Sequence, residues 1–298
     1  MNGKIRLKVP ATSANLGAGF DAIGIALTMY CYATFRATQS GLKITGCPEE
    51  YRNADNLAAQ AFRAVERYIG AGHRGIEIEI DSDIPVARGL GSSAVMLVAG
   101  AFAANEIYGR PLTKEQLLEV TNEFEGHPDN LAPAIYGGLC ASVADPGKLP
   151  ISAHYHVSED LRFVALVPDY PISTNEARKA LPTQIPFQDA VYNISRLSIL
   201  PRALESGDTQ LIAAALDDKL HQPSRAKLIG CYDLVRERAL DSGAAGVVIS
   251  GSGPAMLCVL KASEAEGFVT RMHRMLAALD HAWDVHILDC DPEGARTI

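Results

Sequence analysis

Residues 85–95 read P-V-A-R-G-L-G-S-S-A-V, a glycine-rich turn with two hydroxyls that runs directly into the apolar, helix-forming stretch 96–104. Gly89 and Gly91 let the backbone approach a ligand closely. The free N–H groups at the start of the helix then face an anion with the positive end of the macrodipole behind them. That chemistry suits phosphate, and Ser92 and Ser93 add hydroxyls for phosphate oxygens or a magnesium ion. No G-x-x-x-x-G-K-[S/T] sequence occurs, so a P-loop lysine is missing and the turn itself offers only Arg88 as a cation. Charge neutralisation would rest on the helix dipole, backbone donors and a metal ion.

Three further segments carry chemistry-bearing residues at close spacing. Residues 10–21, P-A-T-S-A-N-L-G-A-G-F-D, gather Thr12, Ser13, Asn15 and Asp21 around Gly17 and Gly19, which suits holding a small polar molecule and equally suits a self-bonded turn. Residues 123–130, E-F-E-G-H-P-D-N, bring a helix end into a turn with carboxylates, a histidine and an asparagine. Carboxylate, phosphate oxygen and water are what Mg²⁺ prefers, although acidic helix ends are commonly just solvated faces. Residues 250–254, S-G-S-G-P, form a glycine-rich link that could be no more than a hairpin loop.

The elements that must position these segments follow from periodicity and capping. Residues 4–9, 31–38 and 76–80 read as strands, 56–69 as an amphipathic helix, and the cradle leads into a helix running to about residue 108. Thr113 with Gln116 forms a capping box for a helix to about residue 124. In the second half, strands are expected at 162–168, 246–250, 255–260 and 283–288, and helices at 189–205, 208–216, 228–241 and 265–279. Turn formers at 145–150, D-P-G-K-L-P, mark the expected domain boundary.

Composition bounds the function. The chain has 298 residues, 48% of them hydrophobic and 21% charged, so two domains with real cores are expected. A net charge of −8 argues against nucleic acid and anionic membrane as partners. The six cysteines are far apart with no C-x-x-C, no apolar run is long enough to span a membrane, and the N-terminus shows no signal-peptide core. A soluble cytoplasmic protein is expected.

Taken in order, P-A-T-S-A-N-L-G-A-G-F-D, P-V-A-R-G-L-G-S-S-A-V and S-G-S-G-P-A-M closely resemble the three signature motifs of the GHMP kinases, over the whole length of the chain. N-L-G-A-G-F-D together with H-P-D-N-L-A-P-A and the pair G-G resembles the homoserine kinase branch in particular. The resemblance implies an α+β fold of two domains: residues 1–150, similar to ribosomal protein S5 domain 2 and binding ATP, and residues 151–298, ferredoxin-like, with the active site between them. It implies ATP-dependent phosphorylation of the side-chain hydroxyl of L-homoserine to O-phospho-L-homoserine in threonine biosynthesis, with Mg²⁺ as cofactor; it leaves a homodimer open. Competing readings are a GHMP kinase for another small alcohol, mevalonate-like or a diphosphocytidyl sugar alcohol, and a catalytically silent nucleotide-binding regulator. Asp21 favours a substrate bearing an ammonium.

Carried over position by position, the resemblance assigns ATP to Pro85, Val86, Ala87, Arg88, Gly89, Leu90, Gly91, Ser92, Ser93, Ala94 and Val95, with Asn56 on the adenine side. It assigns the metal to Ser93 and Glu123, leaving Glu119 and Glu125 as alternatives to the latter. Asn15 and Asp21 are expected to meet the substrate ammonium, and His127, Arg178 and Arg225 its carboxylate. Asn130, Asp129, Glu123 and Ser93 make up the expected catalytic set, Asn130 orienting the hydroxyl; Asp129 is not assigned as a base.

Overall fold

A computed structural model describes residues 4–145 and 147–298; residues 1–3, at the head of the N-terminal strand pattern, and Pro146, inside the expected boundary, lie outside the described residues. The first half runs β1 (Lys4–Ala14), β2 (Ile23–Thr38), β3 (Leu42–Thr45), α1 (Leu57–Tyr68), β4 (Gly75–Ser82), α2 (Ser92–Ile107), α3 (Lys114–Glu125), α4 (Leu131–Tyr136), β5 (Leu139–Val143) and β6 (Ile151–Tyr155). The second half runs β7 (Leu161–Pro168), α5 (Thr174–Lys179), α6 (Phe187–Ser206), α7 (Thr209–Ala215), α8 (Gln222–Arg225), α9 (Tyr232–Asp241), β8 (Gly246–Ile249), β9 (Met256–Lys261), α10 (Ala265–Leu276), β10 (Trp283–Leu288) and β11 (Arg296–Thr297). Among the described residues, no helix is long and apolar enough to cross a membrane.

Two sheets organise these elements. In the first the order is β11-β1-β2-β4-β3, with β5 on β2 and β6 on β5; in the second it is β10-β7-β9-β8. The second sheet, with α10 joining β9 to β10, has the strand order of a ferredoxin-like unit. β6 lies beyond the boundary expected at residue 150, yet it pairs with β5, so sheet membership changes only between Tyr155 and Leu161. β11 returns the C-terminus to β1.

β1 continues past Val9 to Ala14 through a register shift between Pro10 and Ala11, so Thr12 and Ser13 are strand residues rather than loop residues. β2 begins at Ile23, eight residues before its expected start. Its first half is buried almost without interruption, between β1 and β5, and shows no polar alternation to read. α9 starts at Tyr232 instead of residue 228, because Cys231 takes a left-handed φ of 58° and a separate 3-10 turn occupies Ala226–Leu228.

α2 is the axis of the first half. It is apolar all round and buried along most of its length, as a helix inside a core must be. Gly100 lets it lie against α1, since a Cβ there would overlap the Ala58 carbonyl. The far end of this pair is fixed by Glu66, whose side chain is fully buried in the last turn of α1. Tyr108 donates to it at 2.8 Å and Arg63 at 2.6 Å, His73 Nδ1 lies at 2.9 Å and the Arg74 N–H at 3.3 Å.

Burial alone would raise the Glu66 pKa, and the surrounding donors more than reverse it, leaving the carboxyl below its ordinary value. Its stabilisation is therefore complete above the unfolded pKa of ~4.3 and disappears as pH falls through the lower folded value. Glu66→Gln should cost about 2 kcal/mol in urea unfolding at neutral pH, with the gap to the unsubstituted protein closing in acid. A gap independent of pH would show that shape, not charge, holds this corner.

Candidate active site

Three glycine loops meet at the N-terminus of α2 through main-chain contacts. Thr12 N–H donates to Leu90 O at 3.2 Å, Gly251 N–H to Ala14 O at 3.0 Å and Ala255 N–H to Arg88 O at 3.1 Å. Ser250 Oγ donates to Gly89 O at 2.6 Å and lies 2.8 Å from Ser13 Oγ. Gly89 and Gly91 have φ of 81° and 70°. A Cβ on Gly89 would overlap the Ser250 carbonyl, and one on Gly91 would overlap Thr12 Oγ1.

Beside this junction opens a cavity of about 590 Å³, within the range of small-molecule sites. Part of its wall is apolar, from Cys47, Tyr51, Leu57, Ile84, Met96 and Phe124; another part carries Ser92, Ser93 and the glycines of the cradle. The polar remainder includes Asn15, Asp21, Glu125, His127, Asn130, Arg178 and Arg225.

The acidic turn is divided between inside and outside. Glu123 is exposed and off the cavity wall, so the structure does not bear out its expected metal and catalytic role. Glu119 faces outward as well, accepting from Tyr68 at 2.9 Å. Glu125 lines the cavity, with Oε2 buried and unpartnered. The reason is helical phase: α3 buries Leu117, Leu118 and Thr121, and Glu125 lies one turn beyond Thr121 on that face. At about 100° per residue, Glu123 is turned about 200° away. Burial raises the Glu125 pKa, opposed by the nearby Ser93 hydroxyl and by the charge of His127.

His127 Nδ1 lies 2.8 Å from Asp129 Oδ1, which also accepts from the Asn130 N–H at 3.0 Å. Burial would lower the His127 pKa, but the Asp129 bond and charge outweigh it and hold the ring above its ordinary value. Asp129 is 1% exposed, is not on the cavity wall, and has Oδ2 without a partner; it stands behind His127. Asn130 is in the wall, its Oδ1 accepting from Thr12 at 2.8 Å, which leaves its NH₂ free.

Asp21 and Arg178 form a two-point ion pair at 2.9 and 3.1 Å. Arg225 is 2% exposed, donates from Nη1 to Gly251 O at 2.9 Å, and has a buried Nε with no partner. Asn15 spends its amide on the protein, Nδ2 on Gly251 O and Oδ1 on the Asp21 N–H, so it shapes the loop that presents Asp21. Asn56 likewise caps α1 through the Ala58 N–H and holds Tyr51 O, ordering the apolar wall.

Arg88 is a correction to the expected phosphate contacts. Its guanidinium donates to Pro168 O, Val86 O and Asp169 O, tying the cradle to the end of β7, and it is not on the cavity wall. Pro85, Leu90 and Ala94 are also off the wall, while Val86, Ala87, Gly89, Gly91, Ser92, Ser93, Val95 and Asn56 are on it.

The GHMP kinases N terminal domain matches residues 56–138, and the GHMP kinases C terminal domain matches residues 202–278. A homoserine kinase of Clostridium botulinum is 41% identical over 290 residues, covering 97% of each chain. The chain belongs to the homoserine kinase family of the GHMP kinases. A crystal structure of a homoserine kinase from Cytophaga hutchinsonii superposes with a TM-score of 0.90 at 31% identity, covering 100% of this chain and 98% of that one. The mevalonate kinase of L. major, in complex with R-mevalonate, shares the fold at a TM-score of 0.74 and 17% identity.

For this homoserine kinase family member, the sequence left several wall residues unread. Cys47, Tyr51, Met96 and Phe124 carry no motif, because an apolar wall is indistinguishable from core until the chain folds. The helical phase of α3 was the available signal for Glu125. Buried His221 gave none: its Nε2 donates to Gly17 O, 2.9 Å away, beneath the Asp21 loop. Gly91→Val should abolish ATP binding in calorimetry while circular dichroism stays native, since the branched side chain meets both Thr12 and a left-handed backbone. Unchanged ATP affinity in a folded variant would mean the phosphates lie elsewhere.

Proposed function

We propose that the protein transfers the γ-phosphoryl group of ATP to the side-chain hydroxyl of L-homoserine, giving ADP and O-phospho-L-homoserine. One observation carries this reading: Asp21, Arg178 and Arg225 share the wall of the cavity that also contains the G-L-G-S-S cradle. An amino acid is a zwitterion, so its carboxylate replaces Asp21 as partner of the arginines while its ammonium takes Asp21. Arginine's planar fork suits the carboxylate. An alcohol with a carboxylate but no ammonium would leave Asp21 without a partner, at the cost of a desolvated charge.

The donor set fits Mg²⁺. Glu125 has a buried carboxylate oxygen with no partner, Ser93 stands beside it, and both adjoin the N-terminus of α2. Glu125 and Ser93 would hold the ion, which when bound neutralises charge on the phosphate groups. The chain supplies position. Backbone N–H groups at Ser92 and Ser93 receive phosphate, the apolar wall by Tyr51 and Phe124 takes the adenine, and His127, its pKa held above the ordinary value by Asp129, joins the arginines at the substrate carboxylate. Asn130 offers its NH₂ to the homoserine hydroxyl oxygen. That oxygen bonds to the γ-phosphorus as the bond to the bridging oxygen of ADP breaks, and its proton passes to an oxygen of the transferred phosphoryl group. A loose transition state needs little nucleophile activation, so no side-chain base is required. The product belongs to threonine biosynthesis, and free cysteines suit a cytoplasmic site of action.

Two measurements test the reading. ADP release should be driven by homoserine and not by mevalonate, galactose or threonine; in Arg225→Leu the homoserine KM should rise about 10- to 100-fold with ATP affinity nearly intact. Equal damage to both affinities would mark misfolding, and an unchanged homoserine KM would remove the substrate assignment. Separately, Glu125→Gln should lower kcat and raise the Mg²⁺ concentration required, while Glu123→Gln behaves like the unsubstituted enzyme. The reverse pattern would return the metal to Glu123.

A further inference from the structure

Arg225 is a sparsely supported charge in the site. It is 2% exposed, yet its guanidinium makes a single hydrogen bond, to Gly251 O, and its buried Nε has no partner. Burial lowers its pKa, and the neighbouring Arg178 charge lowers it further, while Asp21 opposes them. Asp21 does not relieve this by hydrogen bonding to Arg225: its oxygens accept from Arg178. Something else must keep two like charges side by side in fixed directions.

Phe20 stands in that position. The guanidinium carbon of Arg225 lies over its ring at 5.1 Å from the centroid, and that of Arg178 at 5.9 Å. Both distances are within the range at which the negative face of an aromatic ring attracts a cation. The ring is itself supported by His221, stacked at 5.2 Å with 29° between planes, and His221 is anchored to Gly17 O at 2.9 Å. Asp218 fixes the backbone around His221, accepting from the N–H groups of His221 and Gln222 at 3.0 and 2.7 Å. Phe20 is not on the cavity wall, so it reaches a ligand only through the arginines.

We propose that Phe20, backed by His221, is a positioning residue for substrate: its ring holds the Arg178 and Arg225 guanidiniums together in the direction that receives the carboxylate. Phe20 directly precedes Asp21, so one loop delivers the ring that orders the two cations and the carboxylate that pairs with Arg178. The proposal rests on the homoserine reading for the identity of the ligand, and on geometry alone for the clamp.

Leucine keeps the apolar bulk of Phe20 and removes its π face; tyrosine keeps the face. In Phe20→Leu, the homoserine KM should rise about tenfold, equivalent to about 1.4 kcal/mol, with ATP KM and melting temperature unmoved, and Phe20→Tyr should restore it. The clamp is scored without substrate by NMR of the arginine Nε–H groups, where the Arg225 signal should exchange with water faster in Phe20→Leu and in His221→Gln than in the unsubstituted protein. Unchanged exchange and unchanged homoserine KM would overturn the proposal, as would an equal rise in both KM values, which marks a merely structural role. Faster exchange with an unmoved homoserine KM would support the clamp and count against homoserine as what the arginines hold.

Discussion

Ser250 lends its hydroxyl to the carbonyl of Gly89, Gly251 gives its N–H to Ala14, and Thr12 gives its own to Leu90, so loops from both halves of the chain touch through main chain. Contact at that range tolerates no Cβ at Gly89 or Gly91, and it pins the start of α2, whose remaining length is fixed by burial. The free N–H groups of the helix thus point at one place and are held there by contacts that need no ligand. That is the preorganised donor arrangement from which phosphoryl transfer draws most of its rate.

Around this fixed point the protein leaves polar atoms unmatched. Glu125 Oε2, Asp129 Oδ2 and Arg225 Nε are buried without partners, although buried polar groups are ordinarily satisfied. They are of both signs, on a chain whose net charge is −8. A folding-only account would expect such groups to be paired or absent, since each unmade bond costs about 1–3 kcal/mol. Ligands that bring a cation to Glu125 and an anion to Arg225 remove those costs, which makes the unmatched atoms an energetic reason for the site to bind.

Local signals in the sequence carried the cradle, the capping box at Thr113 and the last strand at 283–288, because glycine, capping hydroxyls and apolar period act over a few residues. What was not legible depended on distance or phase. Arg88 reads as a phosphate cation from its neighbours, yet it is committed to carbonyls at the end of β7, about eighty positions away, which no local pattern announces. Glu123 and Glu125 differ only in which side of α3 they occupy; the burial of Leu117 and Thr121 decides between them. The first half of β2 was missed because a strand covered on both faces lacks alternation. Phe20 is one apolar residue in a polar loop, and only the fold sets its ring beneath two guanidiniums.

The Gly137-Gly138 pair illustrates how a motif can serve chemistry without touching it. Gly138 N–H donates to Asp291 O at 2.7 Å, and a Cβ on Gly137 would overlap the backbone at Pro292. Asp291, 1% exposed, accepts from Tyr30 and from the N–H groups of Glu293 and Gly294, and pairs with Arg296. The C-terminal segment is thereby fastened to the end of α4, and β11 adds to β1. Since Asn130 is the N-cap of α4 and Thr12 lies near the C-terminal end of β1, the residues that fix Asn130 in the cavity are held at their far ends by residues 291–297. A site built from residues between Thr12 and Gly251 therefore depends on residues 291–297 for its geometry, and glycine at 137 follows from that closure rather than from any contact with phosphate.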